Sequence, residues 1–185
     1  MIAWRPFIVE GQVHDLAHLH PTLIRYTQAP KHDNPERVYE VQVEYGLHCF
    51  TSDWPPGSLS PEEIKAHPLA YADSWETRRF DVERYAHSKQ LPAIVQNLPT
   101  AACYHTRHGN FFTVKLLNPI SLEPQSYEVY FTASRSSVAP GRLNLFVQSA
   151  YVRDRDHDNQ PKRKKVGFFV ILHNTLHGQS IKPGP

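Results

Sequence analysis

The stretch that decides the fold is Arg142-Leu-Asn-Leu-Phe-Val-Gln-Ser-Ala-Tyr-Val152, which is typical of a long β-strand. Side chains alternate between the two faces of a strand, so every second residue shares a face. One face is therefore expected to carry Leu143, Leu145, Val147, Ser149 and Tyr151. This predicted face is apolar at first and ends in the hydroxyl groups of Ser149 and Tyr151. This end of the strand is therefore a candidate catalytic site.

Further apolar stretches lie on both sides of this strand in the sequence. Tyr127-Glu-Val-Tyr-Phe-Thr132 and Val166-Gly-Phe-Phe-Val-Ile-Leu172 are both predicted as strands, joined to the central one by polar connections. Residues 101–106 and 110–117 are also predicted as strands. Because short links favour antiparallel pairing, this half of the chain predicts an antiparallel β-meander.

The first half of the chain predicts a strand or hairpin over residues 4–16, one clear strand, and helices. Val38-Tyr-Glu-Val-Gln-Val-Glu-Tyr45 alternates for its whole length and indicates a half-solvated strand, with residues 21–36 before it expected to be a connection. Ser60-Pro61 followed by two acids is a helix start, and a second helix is predicted over 81–97, divided at Pro92. The fold class predicted is therefore α+β, with helices followed by a mostly antiparallel sheet.

Length, net charge and cysteine content narrow the kinds of protein that this chain can be. A chain of 185 residues is expected to form a single domain, here 1–177, with a frayed tail over 178–185. The formal charge of +2 is too weak for nucleic-acid binding through the overall field. Cys49 and Cys103 are too few for a disulfide framework and lack the spacing of zinc ligands, which favours the reducing cytoplasm. We predict a cytoplasmic protein with no targeting signal and no membrane partner.

Three histidines in one short stretch raise the question of a metal. His14, His18 and His20 lie between Gly11 and Pro21, which leave little room for a helix that would align the first two. A polar loop with solvated or backbone-bonded histidines is the favoured interpretation, and a metal site at these residues is the alternative. No metal and no cofactor is predicted.

His48 is the sharper catalytic candidate. It ends the strand that begins at Val38, where a side chain can be both fixed and exposed, and an imidazole suits general acid or base work. A hydrogen-bonded structural histidine is the alternative. Neighbouring Cys49 has no base or cation beside it in the sequence and is predicted to belong to the core.

Cations and aromatic residues supply candidate phosphate and base contacts. Arg84 and Ser88 are four residues apart and share one face of the predicted second helix, which can hold a phosphate or can be a solvated surface. Cations and rings at strand ends or turns suit phosphate contact and base stacking. These further candidates are Tyr104, His105, Lys115, Arg142 and Tyr151.

Several motifs together resemble a bacterial family, some members of which carry the label stationary phase growth adaptation protein. The motifs are His48-Cys-Phe-Thr51, Phe80-Asp-Val-Glu-Arg-Tyr-Ala-His-Ser-Lys-Gln-Leu-Pro92, Tyr127-Glu-Val-Tyr-Phe131 and Leu145-Phe-Val-Gln-Ser-Ala-Tyr-Val-Arg-Asp154. The resemblance runs from about residue 38 to 182, and the label implies a physiological setting rather than a reaction. More remotely, the order of elements is similar to the barnase, EndoU, colicin D and RelE group of metal-independent ribonucleases.

These features favour a metal-independent endoribonuclease, in the setting of a growth-regulating or defence-linked toxin. RNA supplies its own 2′-hydroxyl nucleophile, so the protein needs a base, an acid and cations. The catalytic candidates are His48, Arg84, His105, Ser149 and Tyr151, and the substrate-binding candidates are Ser88, Tyr104, Lys115 and Arg142. The alternative is a non-enzymatic module that binds RNA, a nucleotide or a protein. RNA, or a protein such as an antitoxin, is the expected partner.

Overall fold

The architecture is known from a computed structural model, which describes residues 2–31, 35–106, 110–117, 125–153 and 164–181. Strands and helices both contribute, and strands predominate. The strands are β1 (Phe7–Val9), β2 (Gln12–His14), β3 (Thr22–Gln28), β4 (Arg37–His48), β5 (Thr51–Ser52), β6 (Ala70–Ala72), β7 (Thr77–Phe80), β8 (Cys103–His105), β9 (Phe111–Leu117), β10 (Gln125–Arg135), β11 (Leu143–Val152) and β12 (Lys164–Val166). The helices are a 3-10 turn (Ala17–Leu19), α1 (Pro61–Ala66), α2 (Val82–Ser88), α3 (Leu91–Gln96) and α4 (Phe168–Leu176).

A seven-stranded sheet forms the centre of the fold. Its strand order is β12-β8-β9-β10-β11-β4-β3, and every neighbouring pair is antiparallel except β11 with β4, which is parallel. The mostly antiparallel sheet was predicted, but the parallel contact was not. It brings the ends of β4 and β11 together, because Ser149 lies opposite His48.

One face of this sheet is the core face. Tyr127, Val129 and Phe131 of β10 point into it and are fully or almost fully buried, as are the alternate residues of β4. Helix α4 packs on β10 and β11 through Phe168, whose ring lies 6.5 Å from that of Phe131. On the same face, the hydroxyl of Tyr26 donates to the carbonyl of Val95 in α3 (2.8 Å). The opposite face, called here the outer face, carries the polar and aromatic residues that alternate with these buried residues along the strands.

A smaller sheet, β5-β7-β6, stands beside the end of β4. Its aromatic side chains join the N-terminal segment in a cluster in which the rings of Trp4 and Phe50 lie 5.2 Å apart and those of Phe50 and Tyr71 lie 5.1 Å apart. The indole nitrogen of Trp4 donates to the carbonyl of Tyr45 (2.9 Å). This cluster ties the small sheet to the end of β4, where His48 lies.

A bulge in β11 corrects the prediction that five alternate residues share a face. Opposite β10, the register passes from Phe131↔Val147 to Tyr130↔Ser149, so Gln148 is an extra residue. An inserted residue reverses the alternation beyond it. Ala150 therefore takes the buried position, and Ser149 and Tyr151 turn to the outer face.

Three further predictions differ from the structure. The stretch 166–172 was predicted as a strand, but only Lys164–Val166 is a strand, and α4 begins after Gly167. A continuous apolar run of this length does not distinguish a buried strand from a buried helix. Residues 21–36, expected to be a connection, contain the edge strand β3. The order with helices first is not confirmed, because five strands precede α1.

Local signals were reliable for the helices. Ser60 caps α1 with a complete capping box: its hydroxyl accepts from Glu63 N (3.3 Å), and the Glu63 carboxylate accepts from Ser60 N (2.7 Å). The predicted second helix is divided, as expected, into α2 and α3, with Pro92 in the first turn of α3. No helix in the described ranges is long and apolar enough to cross a membrane.

The C-terminal end of the described chain folds back on α4. Gln179 N donates to the carbonyl of Asn174 (2.8 Å), and Ile181 packs against the hydrophobic core. Residues 182–185 lie outside the described residues, so the frayed tail stays a prediction there.

Candidate functional site

An open cleft of about 420 Å³ lies where β4 and β11 end together beside the small sheet. Four parts of the chain form its walls: the N-terminal segment, the end of β4, the turn between β6 and β7, and the β11 bulge. Its lining includes His48, Trp75, Glu76, Phe146 and Ser149. The cleft therefore contains two of the predicted catalytic residues, His48 and Ser149.

His48 is held at this cleft by a carboxylate. Its Nε2 lies 2.7 Å from Oε1 of Glu76, and both side chains are 42% exposed. Because an ionised carboxylate can only accept, Nε2 carries the hydrogen, and Nδ1 is the basic nitrogen of the neutral ring. In the part of the chain that the structure describes, no other side chain hydrogen-bonds this imidazole. A carboxylate that fixes the tautomer in this way prepares the ring for proton transfer.

Arg78 contacts the carboxylate oxygen of Glu76 that does not face His48. Its side chain is only 6% exposed, and Nη1 contacts Oε2 of Glu76 (3.4 Å) and Oδ1 of Asp53 (2.5 Å), while Nε donates to the hydroxyl of Thr51 (3.0 Å). The hydrogen bond from Arg78 lowers the pKa of Asp53. The buried guanidinium thus balances two carboxylates, and it orients Glu76 toward His48.

Arg84 reaches the end of β4 from α2. Asp81 caps this helix by accepting from the backbone nitrogens of Glu83 and Arg84. Nη1 of Arg84 donates to the carbonyls of Thr51 (2.8 Å) and His48 (3.4 Å), and its guanidinium carbon lies 5.6 Å from the ring centre of Tyr151. The guanidinium of Arg84 therefore contacts both the backbone at His48 and the ring of Tyr151.

Gly46 permits the close approach of β4 to the bulge. A Cβ atom there would lie 2.9 Å from the carbonyl oxygen of Gln148 and 3.0 Å from the ring of Phe146. Both distances are at or below the closest contacts that Cβ atoms make. The absence of a side chain at Gly46 is thus what lets the two strands meet beside Ser149 and shape the cleft.

Four aromatic rings form a row across the outer face, from β8 to β11. The ring centres of Tyr104 and Phe112 are 5.2 Å apart, those of Phe112 and Tyr130 are 5.3 Å apart, and those of Tyr130 and Tyr151 are 5.7 Å apart. The last two pairs are stacked. Phe112 is buried, whereas the three tyrosines are partly exposed. This aromatic row ends at the guanidinium of Arg84.

An ion pair supports the aromatic row from within the same face. Glu128 is 1% exposed and accepts from Nε and Nη2 of Arg153, at 2.9 Å each, and from the hydroxyl of Tyr130 (2.6 Å). The hydrogen bonds that Arg153 donates to Glu128 raise the pKa of Arg153, and burial raises the pKa of Tyr130. A buried carboxylate without hydrogen-bond partners would lower the stability of the fold. Glu128 therefore keeps its hydrogen bond from the Tyr130 hydroxyl, and this bond fixes the position of the ring.

His105 and Arg142 lie far from this cleft. His105 is on β8, four strand spacings or about 19 Å from β4, and it contacts Phe111 on the core face. Arg142 precedes the opposite end of β11, about 23 Å along the strand from Ser149, and it pairs with Glu40 (3.3 Å). The structure therefore does not bring either residue to His48. The sequence alone did not reveal the strand order that separates them.

Ser88 and Cys49 do not line the cleft, and the outcome for Lys115 lies outside the described side chains. Ser88 is fully buried; its hydroxyl donates to the carbonyl of Tyr85 (2.7 Å) and lies 2.8 Å from Nε2 of His18. The backbone of Lys115 belongs to β9, but its side chain lies outside the described part of the structure. Cys49 is in the core, as predicted, and burial raises the pKa of its thiol to about 12.

The three clustered histidines turn to three different partners. His14 is buried against the ring of Tyr85 (4.8 Å), His18 contacts Ser88, and Nε2 of His20 lies 3.0 Å from the carbonyl oxygen of Trp4. Across the described ranges, no group of three or more histidine, cysteine or acidic side chains is placed to hold a metal ion.

Sequence reasoning missed Glu76 and Trp75, which lie in the turn between β6 and β7. Their only local signal is the pattern Asp73-Ser-Trp-Glu76, an acid that can cap a tight turn followed by an exposed ring. Glu76 is 28 residues from His48 in the chain, so their hydrogen bond depends on the tertiary fold.

Comparison with known proteins places the chain in a family. The family model described as the YjaZ family matches residues 6–176. Protein YjaZ of Escherichia coli (strain K12) is 30% identical over 181 residues, which cover 96% of this chain and 93% of that protein. No solved structure matches the chain significantly, so the similarity to the ribonuclease group stays an expectation. The chain belongs to the YjaZ family.

Proposed function

We propose that the protein is a metal-independent endoribonuclease whose reaction centre is the cleft at His48. The observation that carries this proposal is the pair of His48 and Glu76, which leaves Nδ1 of an oriented imidazole as the base. Ser149 lines the same cleft, and Nη1 of Arg84 donates to the backbone carbonyl of His48 (3.4 Å). A base, a hydrogen-bond donor and a cation are the groups that RNA transesterification requires.

In the proposed reaction, Nδ1 of His48 takes the proton of the ribose 2′-hydroxyl. The 2′-oxygen attacks the adjacent phosphorus, and the bond from phosphorus to the 5′-oxygen breaks. The leaving 5′-oxygen takes up a proton, passed on from the imidazolium through water. The products are a 2′,3′-cyclic phosphate and a 5′-hydroxyl, and no metal or cofactor is consumed.

The surrounding residues have defined parts in this reaction. Arg84 balances the negative charge that develops on the phosphate, and Tyr151 holds the guanidinium by its ring face. Ser149 donates to a phosphate oxygen. Arg78 offsets the charges of Glu76 and Asp53, which reduces their repulsion of the phosphate. His105 has no part, since it lies four strands away.

The test is cleavage of single-stranded RNA with and without chelator. His48→Ala should lower the cleavage rate by roughly 10²- to 10⁴-fold, and Glu76→Gln and Arg84→Ala should lower it too. Glu62→Gln, in an exposed acid of α1, is the matched control for the carboxylate. His105→Ala should cleave as the unmodified protein does. Equal cleavage by His48→Ala, or loss of cleavage with chelator, would overturn the proposal.

A non-enzymatic RNA-binding module is the second candidate. The aromatic row favours it, because partly exposed, stacked tyrosines suit base contact without proton transfer. RNA that is bound but stays intact would support this candidate. In either case we propose a cytoplasmic setting, and a growth-regulating or defence-linked toxin would need a protein antitoxin as partner.

A further inference from the structure

Trp75 is the most conspicuous exposed aromatic residue of the described chain. Its side chain is 89% exposed, whereas Trp4 in the same cleft is 4% exposed. An indole ring has a large apolar surface, and its exposure to water is unfavourable. A ligand that covers the ring removes this surface from water, so the contact contributes favourable binding free energy. Trp75 is therefore available to a ligand in a way that Trp4 is not.

The turn that carries Trp75 is well defined by hydrogen bonds. Oδ1 of Asp73 accepts from the backbone nitrogens of Trp75 (2.7 Å) and Glu76 (2.9 Å), and Asp73 N donates to the carbonyl of Glu76 (3.1 Å). A ring on such a turn is presented with little loss of conformational freedom on binding. The same turn also places Glu76 against His48, so the indole and the imidazole are positioned together.

A second exposed ring, Phe146 of β11, lines the same cleft and is 39% exposed. The cleft volume of about 420 Å³ falls within the range of small-molecule sites. Among the described residues that line the cleft, the carboxylates are Asp73 and Glu76, on the Trp75 side, and they disfavour a phosphate there. Arg84 lies on the side of α2. A flat, uncharged aromatic group therefore suits the Trp75 side.

We infer that this cleft takes one unpaired nucleobase, stacked on Trp75, with its phosphate toward Arg84, so that the substrate is single-stranded RNA. This inference rests on the proposed function for the identity of the ligand. Bases in a duplex are already stacked and paired, whereas those of a single strand are free to stack on aromatic side chains. The competing occupant is the surface of a second copy of the chain.

The test uses a single-stranded oligonucleotide with 2′-O-methyl groups, which cannot be cleaved because it lacks the nucleophile. The fluorescence anisotropy of this strand, labelled with a dye at one end, should rise on titration with protein, and the same strand annealed to its complement should show no such rise. Trp75→Ala should weaken binding by roughly 5- to 150-fold, since that is the contribution of one stacked base, while Trp75→Tyr should retain most of the affinity. Trp54→Phe is the control for loss of an indole elsewhere.

The outcomes separate this inference from the cleavage proposal. If the methylated strand binds through Trp75 but natural RNA stays intact, cleavage is wrong and the base site stands. If natural RNA is cut equally by the unmodified protein and by Trp75→Ala, the base site is wrong and cleavage stands. Equal binding of duplex and single strand would overturn the inference. A dimer that Trp75→Ala abolishes, with oligonucleotide affinity unchanged, would assign the ring to a second copy.

Discussion

Replacement of Gly46 by alanine tests how the cleft is built. The new Cβ would lie 2.9 Å from the carbonyl oxygen of Gln148, 3.0 Å from a ring carbon of Phe146 and 3.3 Å from the carbonyl oxygen of Val147. Two of these three atoms belong to the backbone of the bulge, so they cannot rotate away as a side chain can. Strand β11 must therefore move outward from β4.

The expected cost follows from two opposing contributions. Forcing an extra methyl group into a well-packed site costs about 1 to 3 kcal/mol. Alanine also restricts the unfolded chain, which stabilises the folded state by about 0.4 to 1 kcal/mol. We expect Gly46→Ala to lower the free energy of unfolding by about 1 to 2 kcal/mol. For a chain of this size the melting temperature should fall by about 2 to 8 °C.

Urea unfolding followed by circular dichroism measures this change, with Gly167→Ala as the matched control. At Gly167 the nearest atom to a new Cβ is a methyl carbon of Val170 at 3.7 Å, an ordinary contact, and φ is −72°. Gly167 is the N-cap of α4, where glycine is preferred to alanine, so the control should cost at most about 1 kcal/mol and less than Gly46→Ala. If Gly46→Ala is as stable as the control, the close approach of β4 to the bulge is not a real constraint.

Three further predictions concern buried charge, acid stability and the thiols. Arg153→Ala should lower the free energy of unfolding by about 3 to 5 kcal/mol, because it leaves the buried carboxylate of Glu128 without its guanidinium. The exposed Arg25→Ala should cost less than about 1 kcal/mol, and equal effects of the two would contradict the reasoning. Asp53 has a lowered pKa because of Arg78, so its charged form stabilises the fold above its unfolded pKa of about 3.9, and this contribution is lost as the pH falls through the lowered folded value. The melting temperature of Asp53→Asn should therefore lie below that of the unmodified protein at pH 6 and converge with it in acid; a constant difference at all pH values would argue against the ion pair. Burial raises the pKa of both cysteine thiols to about 12, so neither should react with Ellman's reagent until the chain is unfolded in guanidinium. Rapid reaction of either thiol in the native protein would show that its burial is wrong.

Features that depend on neighbouring residues were predictable. The alternation over Val38–Tyr45 correctly identified the buried face of β4, and Ser60 with Glu63 identified the start of α1. These signals operate within one strand or one helical turn, so no distant part of the chain can change them. His48 was likewise found at the end of its strand, where the chain leaves the sheet.

Features that depend on distant contacts were not predictable. Most of the apolar run 166–172 belongs to α4, in which Phe168 packs on Phe131 and Tyr26, and periodicity in the run does not reveal this contact. Gln148 became a bulge where β11 meets Gly46, which turned Ser149 to the outer face.

The candidate site shows the same division. The residue types at His48, Arg84 and Tyr151 were recognisable because their chemistry is carried by each side chain. Their grouping, the addition of Glu76 and the separation of His105 followed from the strand order and from the parallel pairing of β11 with β4. Short-range sequence patterns determine which helices and strands form, because the interactions that favour each element are made within that element. The site was assembled by packing between elements far apart in the chain, because proximity in space depends on how those elements pair.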